Sequence, residues 1–336
     1  MGNAEPPTLD LGAIDAQLKK ARQESDGAVA TTMNFIVYIE DDALHERATE
    51  KAEALSQKYP ARVMILHSGS EGAKVSTSVD KLGADGNVTA ELIELGIMHM
   101  SPRAICSAVN TLRVADTPNV LWWTSETVAS DVLFEDIVGM MDTVIVDSSG
   151  VDSSELGIQE LAEFLSGGPS LLVRDLAYMR LAPWQDMVAH FFDDQSFLED
   201  LHRIVRVELT TGSSAEAYYL VAWMASRLRW KPCGRFALCD ETGRAIEISL
   251  KQDGDLRRVL RVALSTDDST FSAELTDSPD TVGLSVSGVK SVPKRCSPLQ
   301  HIDNLSLLEK AFLVPAHDEV FEESLRVLYE LLQFKA

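Results

Sequence analysis

A doubly wound α/β domain followed by an α+β domain with an antiparallel sheet is the architecture predicted by three features of the sequence. Near-continuous apolar runs such as NFIVYIE, RVMILH and DTVIVD alternate with helical spacing through the first half, as in a parallel sheet covered by crossover helices. From Arg235 onward the period changes to two, and turn-rich ETG, KQDGD, STDDS and DSPD separate short strands, the pattern of antiparallel hairpins. Between these regions Ser166-Gly167-Gly168-Pro169-Ser170 punctuates the chain with flexibility and a fixed φ. The domain boundary is therefore placed there, giving a Rossmann-like domain over 1–168 and a second domain over 169–336 with a meander and a terminal helix.

Leu11, Ile14, Leu18 and Ala21 have the three-and-four spacing of an amphipathic leading helix. The β-rich run Asn34 to Glu40 is followed by Asp41 and Asp42, which suit the cap of a helix that must end before Pro60. Arg62 to His67 then completes a βαβ unit, whose crossover favours parallel pairing. Val75 to Val79 and Val88 to Ile97 are further extended segments. Ser101 followed by Pro102 is a start signal for a helix running towards Arg113. Asn119 to Trp123 and Asp142 to Asp147 read as strands, with helices at Asp131 to Met141 and Ser153 to Leu165.

Beyond the boundary come a helix around Pro183 to Phe192, a strand at Ile204 to Leu209 and a long helix from Ser214 to Trp230, capped by Ser213 or Ser214. Strands at Phe236 to Cys239, Ala245 to Leu250, Val259 to Leu264, Phe271 to Leu275 and Val282 to Val286 form the meander, with Ile246, Ile248 and Leu250 on one face. Phe321, Leu325, Leu328 and Leu332 define a final helix that is expected to cover that face.

With 52 acidic against 30 basic residues the net charge is −22. That sign opposes contact with polyanions, so neither nucleic acid nor an anionic membrane surface is an expected partner. No run approaches the roughly 20 apolar residues of a membrane-spanning helix. The opening MGNAEPPTLDL lacks the basic-then-apolar order of a signal peptide, and the cytoplasm is the expected compartment. Cys106, Cys233, Cys239 and Cys296 have no CxxC spacing, which suggests neither a disulfide scaffold nor a zinc site.

The search for catalytic chemistry yields little. The turn after the first strand reads EDDALHE, with neither GxGxxG nor a P-loop, and two acids there would repel a pyrophosphate. His45, His67, His99, His190, His202, His301 and His317 are scattered without HxxxH, and His190 with Asp193 reads as a solvated contact. There is no GxSxG elbow. No catalytic, cofactor-binding or metal-binding residues are therefore assigned. What stands out is large side chains beside charge, at Trp122-Trp123, at Asp175 to Trp184 and at Trp223, Arg227 and Trp230. Trp and Arg are enriched in binding hot spots, although each Trp also suits a core.

These segments resemble, in order, the OpcA proteins, glucose-6-phosphate dehydrogenase assembly proteins. The resemblance runs through MNFIVYIED (Met33 to Asp41), YPARVMIL (Tyr59 to Leu66), VTAELIELG (Val88 to Gly96) and TPNVLWW (Thr117 to Trp123). It continues with DTVIVDSS (Asp142 to Ser149), DLAYMRLAPWQ (Asp175 to Gln185) and LVAWMASRLRW (Leu220 to Trp230). It departs at Thr89-Ala90-Glu91-Leu92-Ile93, where many relatives have Cys-Ser-Glu-Gln-Ile, and at Tyr178, where they have Trp.

The resemblance implies a non-catalytic protein without a cofactor of its own, which binds glucose-6-phosphate dehydrogenase and promotes its active oligomer at the entrance to the oxidative pentose phosphate pathway. On that reading the expected partner contacts are Trp122, Trp123, Arg174, Asp175, Arg180, Pro183, Trp184 and Arg227. Photosynthetic relatives are implicated in redox control of the dehydrogenase, and here Cys233 and Cys239 are the pair that could meet. The alternative is an enzyme or small-molecule sensor using the cleft at the carboxyl ends of the strands. The acidic stretch Asp267 to Asp280 could instead dock a basic partner, although solvated loop charge is its simpler reading.

Overall fold

The structure is a computed structural model that describes residues 9–24, 31–81, 87–125, 131–150, 154–166, 171–212, 214–234, 237–253, 258–300, 302–313 and 317–333. The predicted punctuation at 167–170, the glycine cluster at 83–86, the cap Ser213, and Phe236 and His301 lie outside them.

The chain forms two compact units from interleaved segments. The first comprises Met1–Asp147, Pro169–Arg174 and Leu308–Pro315, and the second Ser148–Gly168, Asp175–Leu307 and Ala316–Ala336. The sequence places a single boundary between 168 and 169, whereas here residues 148–168 belong to the second unit and 169–174 and 308–315 return to the first.

The first unit contains α1 (Leu11–Glu24), β1 (Met33–Ile39), α2 (Asp42–Lys58), β2 (Ala61–His67), β3 (Glu71–Lys81), β4 (Asn87–Ile97), α3 (Pro102–Leu112), β5 (Asn119–Trp123), α4 (Val132–Val138) and β6 (Thr143–Val146). After α5 (Ser154–Ser166) of the second unit, β7 (Leu172–Asp175) completes the sheet in the order β3-β4-β2-β1-β5-β6-β7. β1 is parallel to β2 and β5, while β3 runs antiparallel along β4 at the edge.

Phe35, Ile36, Val37 and Ile39 of β1 and Met64, Ile65 and Leu66 of β2 are fully buried. This explains their unbroken apolar runs, because a strand covered by helices on both sides has no water-facing alternation. Ser101 caps α3 through Ala104 N at 3.3 Å and Asp41 caps α2 through Ala43 N at 2.8 Å, both as the sequence predicts. Phe312, from the returning segment 308–315, meets Phe35 edge-on with ring centroids 4.6 Å apart.

The second unit holds α5, α6 (Leu176–Met179), α7 (Ala182–His190), α8 (Leu198–Leu201), β8 (Arg206–Thr211), α9 (Ser214–Leu228), β9 (Lys231–Gly234), β10 (Ala237–Cys239), β11 (Ala245–Gln252), β12 (Val259–Ser265), β13 (Ser269–Leu275), β14 (Thr281–Gly288) and β15 (Val292–Pro298). It ends with part of α10 (Asn304–Leu313) and with α11 (Glu319–Gln333).

The strands form one sheet in the order β15-β14-β13-β12-β8-β11-β10-β9. The predicted continuous meander is therefore interrupted: β8 inserts between β11 and β12, parallel to the first and antiparallel to the second. The face expected from Ile246, Ile248 and Leu250 fades along β11, from buried Ile246 to Leu250, which is exposed. α11 packs against α9, α5 and β9, and not over the meander.

Candidate functional site

The crevice in which open α/β sheets bind ligands lies at the carboxyl ends of β1 and β5, where the strand order reverses. In this protein carboxylates of the chain stand at that end of the sheet. Asp41 caps the helix that follows β1, and Asp131 caps α4, the helix that follows β5, through Leu133 N at 2.7 Å and Phe134 N at 3.2 Å. Both helix N-termini that would present free N–H groups to a phosphate already have an internal acceptor. Glu40 accepts a hydrogen bond from Ser125 Oγ in the same place.

Tyr38, buried below and stacked on Trp123 at 3.8 Å, has its phenol pKa raised to about 12. Burial is the larger cause, followed by the carboxylates of Glu40 and Asp131. A raised folded-state pKa means that this stabilising contribution is complete below the unfolded value near 10 and is lost as pH climbs towards 12. Tyr38→Phe is expected to reduce the loss of stability between about pH 10 and 12, as read by urea midpoints across that range. An alkaline limb equal to that of the unsubstituted protein would contradict the assignment.

The residues nominated from sequence as partner contacts are mostly internal. Trp122, Trp123, Arg174, Asp175 and Trp184 are buried, which corrects their placement on an exposed surface. Trp123 also meets Phe134 edge-on at 5.1 Å, and Trp122 lies beside Phe35. Asp175 Oδ1 accepts from Ser148 N and Ala177 N, while its Oδ2 accepts from Tyr219 Oη at 2.7 Å. Desolvation, and then the Asp175 charge, pushes the Tyr219 phenol well above its ordinary range. Arg180 Nη1 is 3.1 Å from Glu216 Oε1, an ion pair whose carboxylate is buried. The charged DLAYMRLAPW segment thus contributes to an internal polar network, in which the Asp175 carboxylate and the Arg180–Glu216 pair are partnered. Pro183 is half-buried.

Arg227 is the nominee that reaches the surface. It pairs with Glu323 on one wall of an open groove of about 610 Å³, also lined by Arg229, Trp230, Lys231, Glu241 and Arg326. Arg229 adopts a left-handed backbone (φ 56) at the end of α9, which turns Trp230 inward and leaves the Arg229 side chain exposed. Cys233 and Cys239, the pair singled out in the sequence, are joined by a disulfide that links β9 to β10. Cys106 and Cys296 are free thiols.

A second cluster, unmarked in the sequence, lies at the β2 side of the first sheet. His45 from the first turn of α2, His67 at the end of β2 and Glu94 on β4 bring their donor atoms within 4.8 Å of one another. His45 Nε2 is 2.8 Å from Glu94 Oε1, and His67 Nε2 is 2.6 Å from Asp42 Oδ1. Three separate elements supply these side chains, so no local spacing rule could reveal them; the only sequence signal was a His closing a buried strand. His190 and Asp193 form the exposed pair that their spacing suggested, and Asp268 of the acidic stretch pairs with Arg203 at 2.7 Å. Among the described residues no helix is long and apolar enough to cross a membrane.

Two family models match the chain in order. Residues 52–163 match the one described as glucose-6-phosphate dehydrogenase subunit N-terminal domain, and residues 172–325 the one described as its C-terminal domain. Relatives named as the OxPP cycle protein OpcA include that of Nostoc punctiforme, 28% identical over 190 residues, and that of Synechocystis, 26% identical over 190 residues. Each match covers 54% of this chain and 40% of the relative, so the chain spans less than half the length of the curated relatives it matches. Among solved structures, a variant of the 3-ketoreductase KijD10 of Actinomadura kijaniata, in complex with TDP-benzene and NADP, aligns with TM-score 0.52 at 12% identity. That alignment covers 90% of this chain and 96% of that one, and at such identity it shows a shared fold alone. The ordered domain matches, carried on a Rossmann-like first unit and a mixed second unit, place the chain in the OpcA family of glucose-6-phosphate dehydrogenase subunit proteins.

Proposed function

We propose that this protein is a non-catalytic assembly partner that binds glucose-6-phosphate dehydrogenase and favours its active oligomer in the cytoplasmic oxidative pentose phosphate pathway. The observation that carries this reading is the pair of domain matches, 52–163 and 172–325, both described by reference to a subunit of that dehydrogenase. The acid-capped crevice supports it, because a doubly wound domain whose helix N-termini are internally satisfied is better suited to docking than to holding a dinucleotide phosphate.

The mechanism would be a population shift: tighter binding to the active oligomer than to the inactive form draws the equilibrium towards activity. A differential affinity of about 1–3 kcal/mol corresponds to roughly 5–150-fold. Of the nominated residues, Arg227 in its charged groove is the one disposed to contribute to that contact surface. The test titrates this protein into the same organism's dehydrogenase and follows NADPH formation. A saturable rise in rate is expected, and an unchanged rate at micromolar concentrations of both proteins would overturn the proposal.

A further inference from the structure

We propose that His45, His67 and Glu94 form a binding site for a first-row divalent transition-metal ion, with zinc as the best-suited member of that class. Two imidazoles and a carboxylate are the donor set that such ions take, whereas magnesium and calcium select oxygen ligands throughout. The three groups are held on a rigid frame: Glu94 lies within β4, His67 closes the adjacent β2, and His45 sits on the first turn of α2. The His67 side chain is 11% exposed, and its ring lies 4.5 Å from that of His45 at a tilt of 31°. Their donor atoms fall within 4.8 Å of one another, with His45 Nε2 and Glu94 Oε1 already 2.8 Å apart. Metal–ligand bonds of about 2.0–2.2 Å put neighbouring ligands roughly 3.3 Å apart, so closure around an ion requires side-chain shifts on the order of 1 Å.

Two neighbouring features point the same way. Asp42 Oδ1, 2.6 Å from His67 Nε2, adds a carboxylate charge beside the cluster. A Cβ at Gly69 would come within 2.4 Å of that oxygen, so glycine leaves the space the carboxylate occupies. Beside the cluster opens a cavity of about 330 Å³, lined by His45, Glu94, Glu46, Glu50, Glu53 and Lys74. Four carboxylates against one ammonium favour cation entry there, and the opening gives an exchangeable water or ligand access to the ion, as in sites that retain an open coordination position.

The test uses the full chain stripped with a chelator and then dialysed against zinc chloride alone, with metal content measured after gel filtration. Close to one zinc per chain, a higher melting temperature with zinc, and cobalt ligand-field absorption on substitution with cobalt(II) are expected. Glu94→Gln and His45→Asn should each weaken zinc binding at least about tenfold, with unchanged circular dichroism in the metal-free state, while His190→Asn should bind as the original does. His67 is buried, so His67→Asn is read only alongside those two, in case it disturbs the fold. Negligible zinc uptake, or undiminished uptake by a folded H45N/E94Q variant, would overturn the site and leave the cluster as two histidine–carboxylate hydrogen bonds. The outcome is independent of dehydrogenase binding.

Discussion

Glu91→Ala is expected to destabilise the first unit by about 3–5 kcal/mol, the cost of removing one partner from a buried ion pair. Glu91 is 1% exposed and lies opposite Arg62 across β2 and β4. Its Oε2 accepts from Arg62 Nε at 2.9 Å and Nη2 at 2.6 Å, and Arg62 Nη1 donates to Leu112 O at the end of α3. Deleting the carboxylate strands a guanidinium among apolar neighbours, without water to replace the lost acceptor. At roughly 2–4 °C per kcal/mol for a unit of this size, the melting temperature should fall by about 6–20 °C. A paired replacement, Arg62→Met with Glu91→Leu, should recover most of the loss, because the desolvation cost of both charges goes with them. A drop below about 1 kcal/mol in the single variant would mean that the pair contributes little and that the sheet is held by its apolar runs alone.

Asp175→Ala is expected to cost about 2–4 kcal/mol in the second unit, because it leaves buried donors without an acceptor. The carboxylate, 1% exposed, ties the start of α6, the turn at Ser148 and the Tyr219 hydroxyl of α9 into one network. Tyr219→Phe removes one bond and should cost only about 0.5–1.5 kcal/mol. The double variant should show strong coupling, since the two groups share a bond. Urea unfolding of the four forms measures it; additive effects would show that Asp175 acts through α6 and Ser148 alone.

The Arg62–Glu91 pair lies on strands that the sequence announces without showing that the pair is buried, whereas Asp175 lies where the sequence announces no element. The apolar runs of β1, β2 and β6 announce strands, and Ser101-Pro102 and Asp41 announce helices, because those signals are local. β7 escapes such reading: it has four residues, Leu172–Asp175, of which two are charged, and only its neighbours reveal it as a sheet edge. β15 escapes too, since Val292–Pro298 is almost wholly exposed and lacks an apolar face. β8 was legible as a strand, yet its insertion between β11 and β12 depends on pairing across distant sequence.

The same limit explains the site. Trp, Tyr and Arg are enriched in binding hot spots, yet the same side chains and their charged neighbours also serve inside a fold when hydrogen-bonded, so composition could not separate Trp184 and Asp175, which are buried, from Arg227, which is exposed. The histidine cluster joins residues 45, 67 and 94, a convergence that only the parallel register of β2 and β4 and the crossover to α2 create.

The most direct measurement is the mass, by size-exclusion chromatography with light scattering, of glucose-6-phosphate dehydrogenase from the same organism, alone and mixed with this protein. Co-elution at a mass above that of either component, with the dehydrogenase shifted to a larger oligomer, is the predicted result. Separate elution with both masses unchanged, at concentrations well above micromolar, would contradict the assembly role.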